Sequence, residues 1–357
     1  MEILRYDADR AEAASRFIRE NFEARLKADR AYISWKFGRS PLGSSLGHYY
    51  LAMEGGEVVG QVATMADRLL VEGRSHPFVW VVDLMVSPGH RGRGLVALRL
   101  LRELTRDHEL ALVNGMGPEV ARLYQGLKWE PVPGASLSTF YGPIRPSRTL
   151  TRLAPGVRLA LSVLDRPVSR GRRRQAARST GVERLHGFDE EVDTLVDSVA
   201  AVMGPTTFRS SAYYRWRFDE RPCGSHRILA VRGGGELRGL VVVKLFGGRP
   251  RARWAEVVDV VIDPADRALF RALLAGATAE ALAEDCDFVR LSVSHPLLRS
   301  ALRPPGWVRR RSVAGNEVYV GSRDSSLAST VAGRDWYMTG LISDRADTGN
   351  DELAAAG

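Results

Sequence analysis

The sequence predicts an α/β (α+β) protein made of two similar folds in tandem, each a mixed, mostly antiparallel twisted sheet flanked by helices. Three observations lead there. A strand–glycine turn–helix unit occupies residues 79–104, much of the surrounding pattern recurs in the other half of the chain, and the 357 residues exceed what one hydrophobic core usually serves.

The unit at 79–104 organises the first half. Residues 79–86 are apolar and β-branched with a single charge, Asp83, which is the pattern of a buried strand. Pro88 and Gly89 end it. Gly92 and Gly94 permit a tight turn with bare backbone. Val96, Leu100 and Leu104 then recur at helical spacing, with Leu98 and Leu101 widening the apolar face. Such a turn leaves backbone N–H groups free at a helix N-terminus, where the macrodipole favours anions, and Arg91 and Arg93 add positive charge. Together these features predict a pyrophosphate site.

The elements around it follow in order. Ala11, Ala14, Phe17, Ile18 and Phe22 give a helical pattern, and a short helix is expected at 29–37. Strands are expected at 48–53 and 58–65, joined by the turn Glu54-Gly55-Gly56-Glu57. After the central helix come a strand at 110–113 and a helix at 118–126 opened by Pro118. Strands at 129–132 and 136–141 close the half.

The second half repeats this order. Ala31-Tyr32-Ile33-Ser34-Trp35-Lys36-Phe37 returns as Ala212-Tyr213-Tyr214-Arg215-Trp216-Arg217-Phe218. Gly55-Gly56-Glu57 and Gly60 return as Gly234-Gly235-Glu236 and Gly239, the run from Val81 to Pro88 as that from Val257 to Pro264, and Trp129 as Trp307. The offset stays near ~180 residues throughout, which chance does not produce in four ordered matches. The copies differ at one decisive place. Where the first has His90-Arg91-Gly92-Arg93-Gly94-Leu95, the second has Asp266-Arg267-Ala268-Leu269-Phe270-Arg271, with no glycine and an added carboxylate. The second copy is therefore expected to start a helix there and not to hold a phosphate.

These boundaries divide the chain into a first domain at 1–145, a basic linker at 146–180, a degenerate second domain at 181–343 and a flexible tail at 344–357. The linker contains Arg166-Pro167-Val168-Ser169-Arg170-Gly171-Arg172-Arg173-Arg174 after a mostly apolar stretch at 157–164, which suits a solvated connection or contact with an anionic surface. Net charge is +9, but only Lys27, Lys36, Lys128 and Lys244 are lysines, so the excess is an arginine bias that suits an anionic cofactor and gives little support to nucleic acid. No apolar run reaches transmembrane length, and the first residues are not those of a signal peptide. Cys223 and Cys286 form no metal pattern and point to a reducing, cytoplasmic setting without a metal.

Arg91-Gly92-Arg93-Gly94-Leu95-Val96, preceded by Val86-Ser87-Pro88, resembles motif A of the GNAT acetyltransferase superfamily, Gln/Arg-x-x-Gly-x-Gly/Ala after a strand ending in Val-x-Pro. Val96 stands where Gly or Ala is usual. Leu123-Tyr124-Gln125-Gly126-Leu127-Lys128-Trp129 is similar to a second GNAT motif, Leu-Tyr-Glu-Lys-Leu-Gly-Phe, with Lys128 in the place of Gly and Trp129 in that of Phe. The order β, β, β, α, β, α, β is that of the GNAT fold, so the resemblance implies two tandem GNAT folds, the second a degenerate copy.

The resemblance also implies a function: an N-acyltransferase in which a primary amine attacks the thioester of an acyl-CoA, acetyl-CoA first among them. Backbone groups of Leu84, Met85 and Val86 would hold the pantetheine arm. Arg91, Gly92, Arg93, Gly94, Leu95 and Val96 would hold the pyrophosphate. Tyr124 would protonate the departing thiolate, and its counterpart in the second copy is Leu302. Asp83 is a candidate general base, but Asp259 matches it in the degenerate copy, which favours a structural role; Glu130, His48 and His76 are further candidates. The acceptor is a small-molecule amine, with no specific nucleic acid and no transmembrane segment expected. Two other readings remain at this point: a Fem-type aminoacyl-tRNA-dependent transferase, which also has two GNAT-like halves and would use the basic linker, and a non-catalytic acyl-CoA sensor.

Overall fold

The computed structural model describes residues 1–343 apart from 23–24, 72, 93–94, 150–154, 178–180, 223, 248–251, 303–305, 311–316 and 324. The tail expected at 344–357 lies outside the described residues. In chain order the strands are β1 (Glu2–Arg5), β2 (Tyr50–Glu54), β3 (Glu57–Val71), β4 (Arg74–Val86), β5 (Leu110–Asn114), β6 (Glu130–Pro131), β7 (Ser138–Pro143), β8 (Val182–Leu185), β9 (Thr206–Thr207), β10 (His226–Gly233), β11 (Glu236–Phe246), β12 (Trp254–Val261), β13 (Phe288–Val293), β14 (Val308–Arg309) and β15 (Val318–Ser322).

They form two sheets. The first runs β1-β2-β3-β4-β5-β15-β6, with β9 also on β3, and the second runs β14-β7-β13-β12-β11-β10-β8. Each has one parallel junction, β4 with β5 and β12 with β13, and is otherwise antiparallel. The predicted fold class is therefore present twice. The β2–β3 and β10–β11 hairpins turn through Gly55-Gly56 and Gly234-Gly235, all four with φ between +60° and +90°. That is the left-handed pair a two-residue hairpin loop needs to follow the strand twist, and it explains the repeated Gly-Gly.

Sheet membership does not follow the division at residue 145. β7, written in the first half, pairs with β13 and β14 of the second sheet. In return β15, from the second half, lies between β5 and β6 of the first sheet. The exchange has a packing signature. Trp129 lies against Gly321 of β15, where a Cβ would come within 2.3 Å of the indole, and Trp307 lies against Gly142 of β7 at 3.2 Å. Each tryptophan thus clamps a glycine of the strand brought in from the other half.

Residues 155–177, expected as linker, form a 23-residue helix, Pro155–Ala177, despite Pro167 in its interior. Tertiary anchors hold it. Arg172, itself buried, donates from Nε to the Pro143 carbonyl at 3.1 Å and from Nη2 to the Gly306 carbonyl, and the Ser169 hydroxyl donates to the Ile144 carbonyl at 2.8 Å. The Ser147 amide and hydroxyl both donate to Asp165.

One buried apolar cluster extends through both halves, from Ala14 and Phe17 to Leu341 and Ile342. A smaller one, including Val96, Leu100, Leu104, Tyr124 and Trp129, lies under the helix Leu95–Asp107. No described helix is long and apolar enough to cross a membrane.

Candidate active site

The site begins with a bulge. β3 and β4 pair as Ala63 with Val82 and then as Gln61 with Met85, so Asp83 and Leu84 together oppose one residue. Asp83 takes a left-handed conformation with φ +53°, uncommon outside glycine but more accessible to Asp than to most residues. On the other side β4 and β5 pair only from Val79–Ala111 to Val81–Val113. Beyond Val81 the parallel strands part, and among the described residues no strand pairs with Val82–Val86 on that side.

A cleft of about 380 Å³ opens there, lined by Asp83, Leu84 and Met85 of β4, by Asn114 and Met116 after β5, and by Tyr124. Tyr124 is carried by the helix Pro118–Gly126, and its ring packs on Trp129 with centroids 4.8 Å apart. Lys128, after that helix, has φ +63°, so the position where the motif usually has Gly keeps the glycine conformation. The Tyr124 hydroxyl and the Asn114 side-chain amide nitrogen are buried with no hydrogen-bond partner among the described residues. Burial pushes the Tyr124 phenol well above its ordinary range, so it stays protonated at any physiological pH. A water or a ligand in the cleft would supply the missing bonds.

Asp83 reaches the same cleft, but its carboxylate is held by two ammonium groups. Lys36, fully buried, donates to Oδ2 at 2.7 Å, and Lys27 donates to Oδ1. Each oxygen thus accepts from one ammonium group, as in a structural ion pair. The second copy repeats this arrangement with other residues. Asp259 is buried and accepts from Arg209 at 2.9 Å, from the Tyr214 hydroxyl at 2.6 Å and from the Thr339 hydroxyl at 2.6 Å. Glu130, His48 and His76 do not line the cleft. His48 instead lies against His108, 3.6 Å from Asp107 at the far end of the helix Leu95–Asp107.

The glycine loop follows β4 at the cleft. Gly92 has φ +82°, a conformation that a side chain would strain. Arg91 folds back to donate from Nε to the Val86 carbonyl at 2.9 Å, with its guanidinium over the Phe22 ring. Arg93 and Gly94 lie outside the described residues. Leu95 is exposed and Val96 is buried. Val96 fits because Gly60 lies beneath it; a Cβ there would come within 2.7 Å of the valine. The repeated glycine, Gly239, makes the same room for Ile262 and Leu269.

In the second copy the matching parting is filled. β12 and β13 also part, after Val257–Leu291, but the chain's own segment at 336–342 enters the gap. Thr339 bridges to Val293, the Ser294 amide donates to the Met338 carbonyl at 3.0 Å, the Tyr337 hydroxyl donates to the Val260 carbonyl at 3.2 Å, and Gly340 lies against Val258. The helix that starts where a glycine loop would be, Arg267–Ala283, is capped by Asp266, whose carboxylate accepts from the Leu269 amide at 2.9 Å.

Sequence reasoning missed Lys27 and Asn114 as cleft residues. Lys27 had a signal: in a chain with 51 cationic side chains and only four lysines, two of the four meet at Asp83. Asn114 had none beyond its place at the end of a strand.

With this geometry the fold can be classed: two GNAT folds joined by exchanged strands. Residues 3–131 match the profile of the acetyltransferase (GNAT) domain. No curated protein matches the sequence. Solved structures with the same fold include a GCN5-related N-acetyltransferase from Anabaena variabilis (12% identity, 90% of this chain and 73% of that one, TM-score 0.60). A probable N-acyltransferase from Enterococcus faecalis (12%, 89% and 71%, 0.56) and Saccharomyces cerevisiae N-myristoyltransferase with bound myristoyl-CoA (14%, 90% and 82%, 0.58) share it as well.

Proposed function

We propose that this protein is an acyl-CoA-dependent N-acyltransferase, using acetyl-CoA to acylate a primary amine. The observation that carries this is the cleft at the β4–β5 parting, with the unpartnered Tyr124 hydroxyl in its wall and the glycine loop beyond its strand. The thioester arm lies along β4, where Leu84, Met85 and the Val86 amide offer backbone groups that no strand among the described residues takes on that side, the Val86 carbonyl accepting from Arg91. The pyrophosphate sits on the loop from Arg91 to Val96. The amine attacks the thioester carbonyl, a backbone N–H of β4 stabilises the oxyanion, and collapse of the tetrahedral intermediate breaks the C–S bond. The leaving thiolate takes the proton of Tyr124, which solvent restores, while the acylated nitrogen loses its own proton to water. Asp83 holds the bulge and the two lysines and is not the base in this scheme.

Free-thiol release from acetyl-CoA, measured over a panel of amines, tests the reading. Turnover should appear with at least one amine, and Tyr124→Phe should lower kcat by roughly 100-fold or more with little change in CoA affinity, the scale of general acid catalysis. Because the hydroxyl has no partner among the described residues, the same change should leave the melting temperature within a few degrees of the parent. CoA binding with no thiol release from any amine would favour an acyl-CoA sensor instead.

A further inference from the structure

The helix Pro155–Ala177 carries a feature that acyl transfer does not use. Its second half is anchored through Ser169 and Arg172, but its first half leaves large apolar side chains in water: Leu159 is 74% and Val163 75% exposed, with Val157 and Leu164 close to half. Single exposed leucines are ordinary, but four such side chains within eight residues of one helix are not. The outward side then changes character along the axis. Leu159 and Val163 are followed, at helical spacing, by Arg166, Arg170 and Arg174. Pro167 marks the change; it cannot donate to the Val163 carbonyl.

The cationic half is concentrated further. Arg166, Arg170 and Arg173 line a hollow of about 490 Å³ with Arg145 and Arg148. Arg145 is paired with Asp285 and Asp287, and Arg148 is 3.9 Å from Asp287. Asp165, the acid of the hollow, is occupied by Ser147. Among the described residues no acidic side chain pairs with Arg166, Arg170, Arg173 or Arg174.

We propose that this helix docks the protein on an anionic lipid surface, with residues 157–164 entering the headgroup–acyl boundary and the arginines binding lipid phosphates. Eight helical residues rise about 12 Å, far short of a membrane span, so the stretch fits a helix lying in the plane of the surface and not one crossing it. Charge complementarity selects the surface, because the arginines lie beside the apolar stretch at the level of the headgroups.

Flotation of the full chain with vesicles decides the matter, using phosphatidylcholine alone or with roughly one quarter phosphatidylglycerol. The chain should bind the anionic vesicles at least tenfold more tightly than the neutral ones, and added salt should weaken the binding. Leu159→Ser with Val163→Ser should reduce binding about tenfold, and Arg170→Glu with Arg174→Glu should reduce it to the neutral-vesicle level. All four positions are exposed, and unchanged thermal melting would show that the variants fold. Equal retention on both vesicle types, or no effect of the serine pair, would overturn the proposal. So would full competition by millimolar glycerol phosphate, which would mark a site for a free phosphate ester. Self-association abolished by the serine pair in a chain that ignores vesicles would assign the helix to a second copy of the protein.

Discussion

Trp35 and Trp216 donate their indole N–H groups to each other's backbone carbonyls, at 2.7 and 3.0 Å, with ring centroids 5.4 Å apart. They are equivalent residues of the two copies, so the contact has the self-complementary form of a two-fold dimer interface, built here within one chain. Each sits in a π-helical turn, Ser34–Gly38 and Arg215–Asp219, that follows a short α-helical turn. The next residue in each copy, Lys36 or Arg217, is a buried cation.

This pair should control the stability of both halves together. Trp35→Ala is expected to cost about 3–5 kcal/mol, the range for removing a buried Trp. Urea unfolding of that variant should remain one transition by fluorescence and circular dichroism. Two separated transitions would show that this contact, and not the exchanged strands, couples the halves.

Asp83 and Asp259 should behave alike in stability. Asp83→Asn leaves Lys36 and Lys27 without their shared counter-charge, and Asp259→Asn does the same to Arg209. Each is expected to lose about 3–5 kcal/mol, the cost of breaking a buried ion pair from one side. An Asp83→Asn protein that melts normally yet has no turnover would restore Asp83 as the general base.

Asp67 should give the fold a pH dependence of unusual sign. It is buried, accepting from the Trp80 indole at 3.0 Å and the Arg68 amide at 2.7 Å. Burial raises its carboxyl to about 7, against the lowering effect of those donors and of Arg209 and Arg217. In the unfolded chain it titrates near ~4. Between these values the folded state holds the extra proton, so this group's contribution to stability grows as pH falls from about 7 toward 4. The parent's stability relative to Asp67→Asn should rise over that window by up to about 1.4 kcal/mol per pH unit. A difference that stays flat from pH 8 to pH 4, measured by denaturant midpoints, would contradict the assignment.

CoA should bind once per chain. The first copy has a cleft and a glycine loop, whereas the second has its gap filled by the segment at 336–342 and its helix start capped by Asp266. Calorimetric titration should give a stoichiometry near one, and Gly92→Glu should abolish binding by placing a strained side chain and a like charge in the loop. Arg267→Ala should leave affinity unchanged. Two sites per chain would be incompatible with the plugged second copy.

The central strand, the loop and the repeat were legible because they rest on local chemistry: β-branched runs, paired glycines and helical spacing. The exchange of β7 and β15 was not. The two copies are alike, so each closing strand carries a pattern that fits either sheet, and sequence periodicity does not name the partner. The helix at 155–177 was hidden by Pro167, Gly156 and Gly171, which read as linker; anchors such as Arg172 override those preferences only in the folded protein. The pairing of Asp83 with Lys27 and Lys36 joins residues 56 and 47 positions apart, a contact that no local rule supplies. At Tyr124 the motif named the residue, but its lack of a partner among the described residues came only from the packing around it.

The exchanged strands also set a timetable for synthesis. β15 lies between β5 and β6, so the first sheet stays unfinished until residue 322 has left the ribosome. Until then β5 presents an open edge of apolar backbone, a template for pairing with another chain. β7 emerges early and must wait for β13, about 150 residues later. A nascent chain stalled before β15 would therefore expose both an unfilled slot and an unplaced strand. The tandem arrangement, which keeps the two copies on one chain, ensures that the slot and the strand that fills it are made in equal numbers.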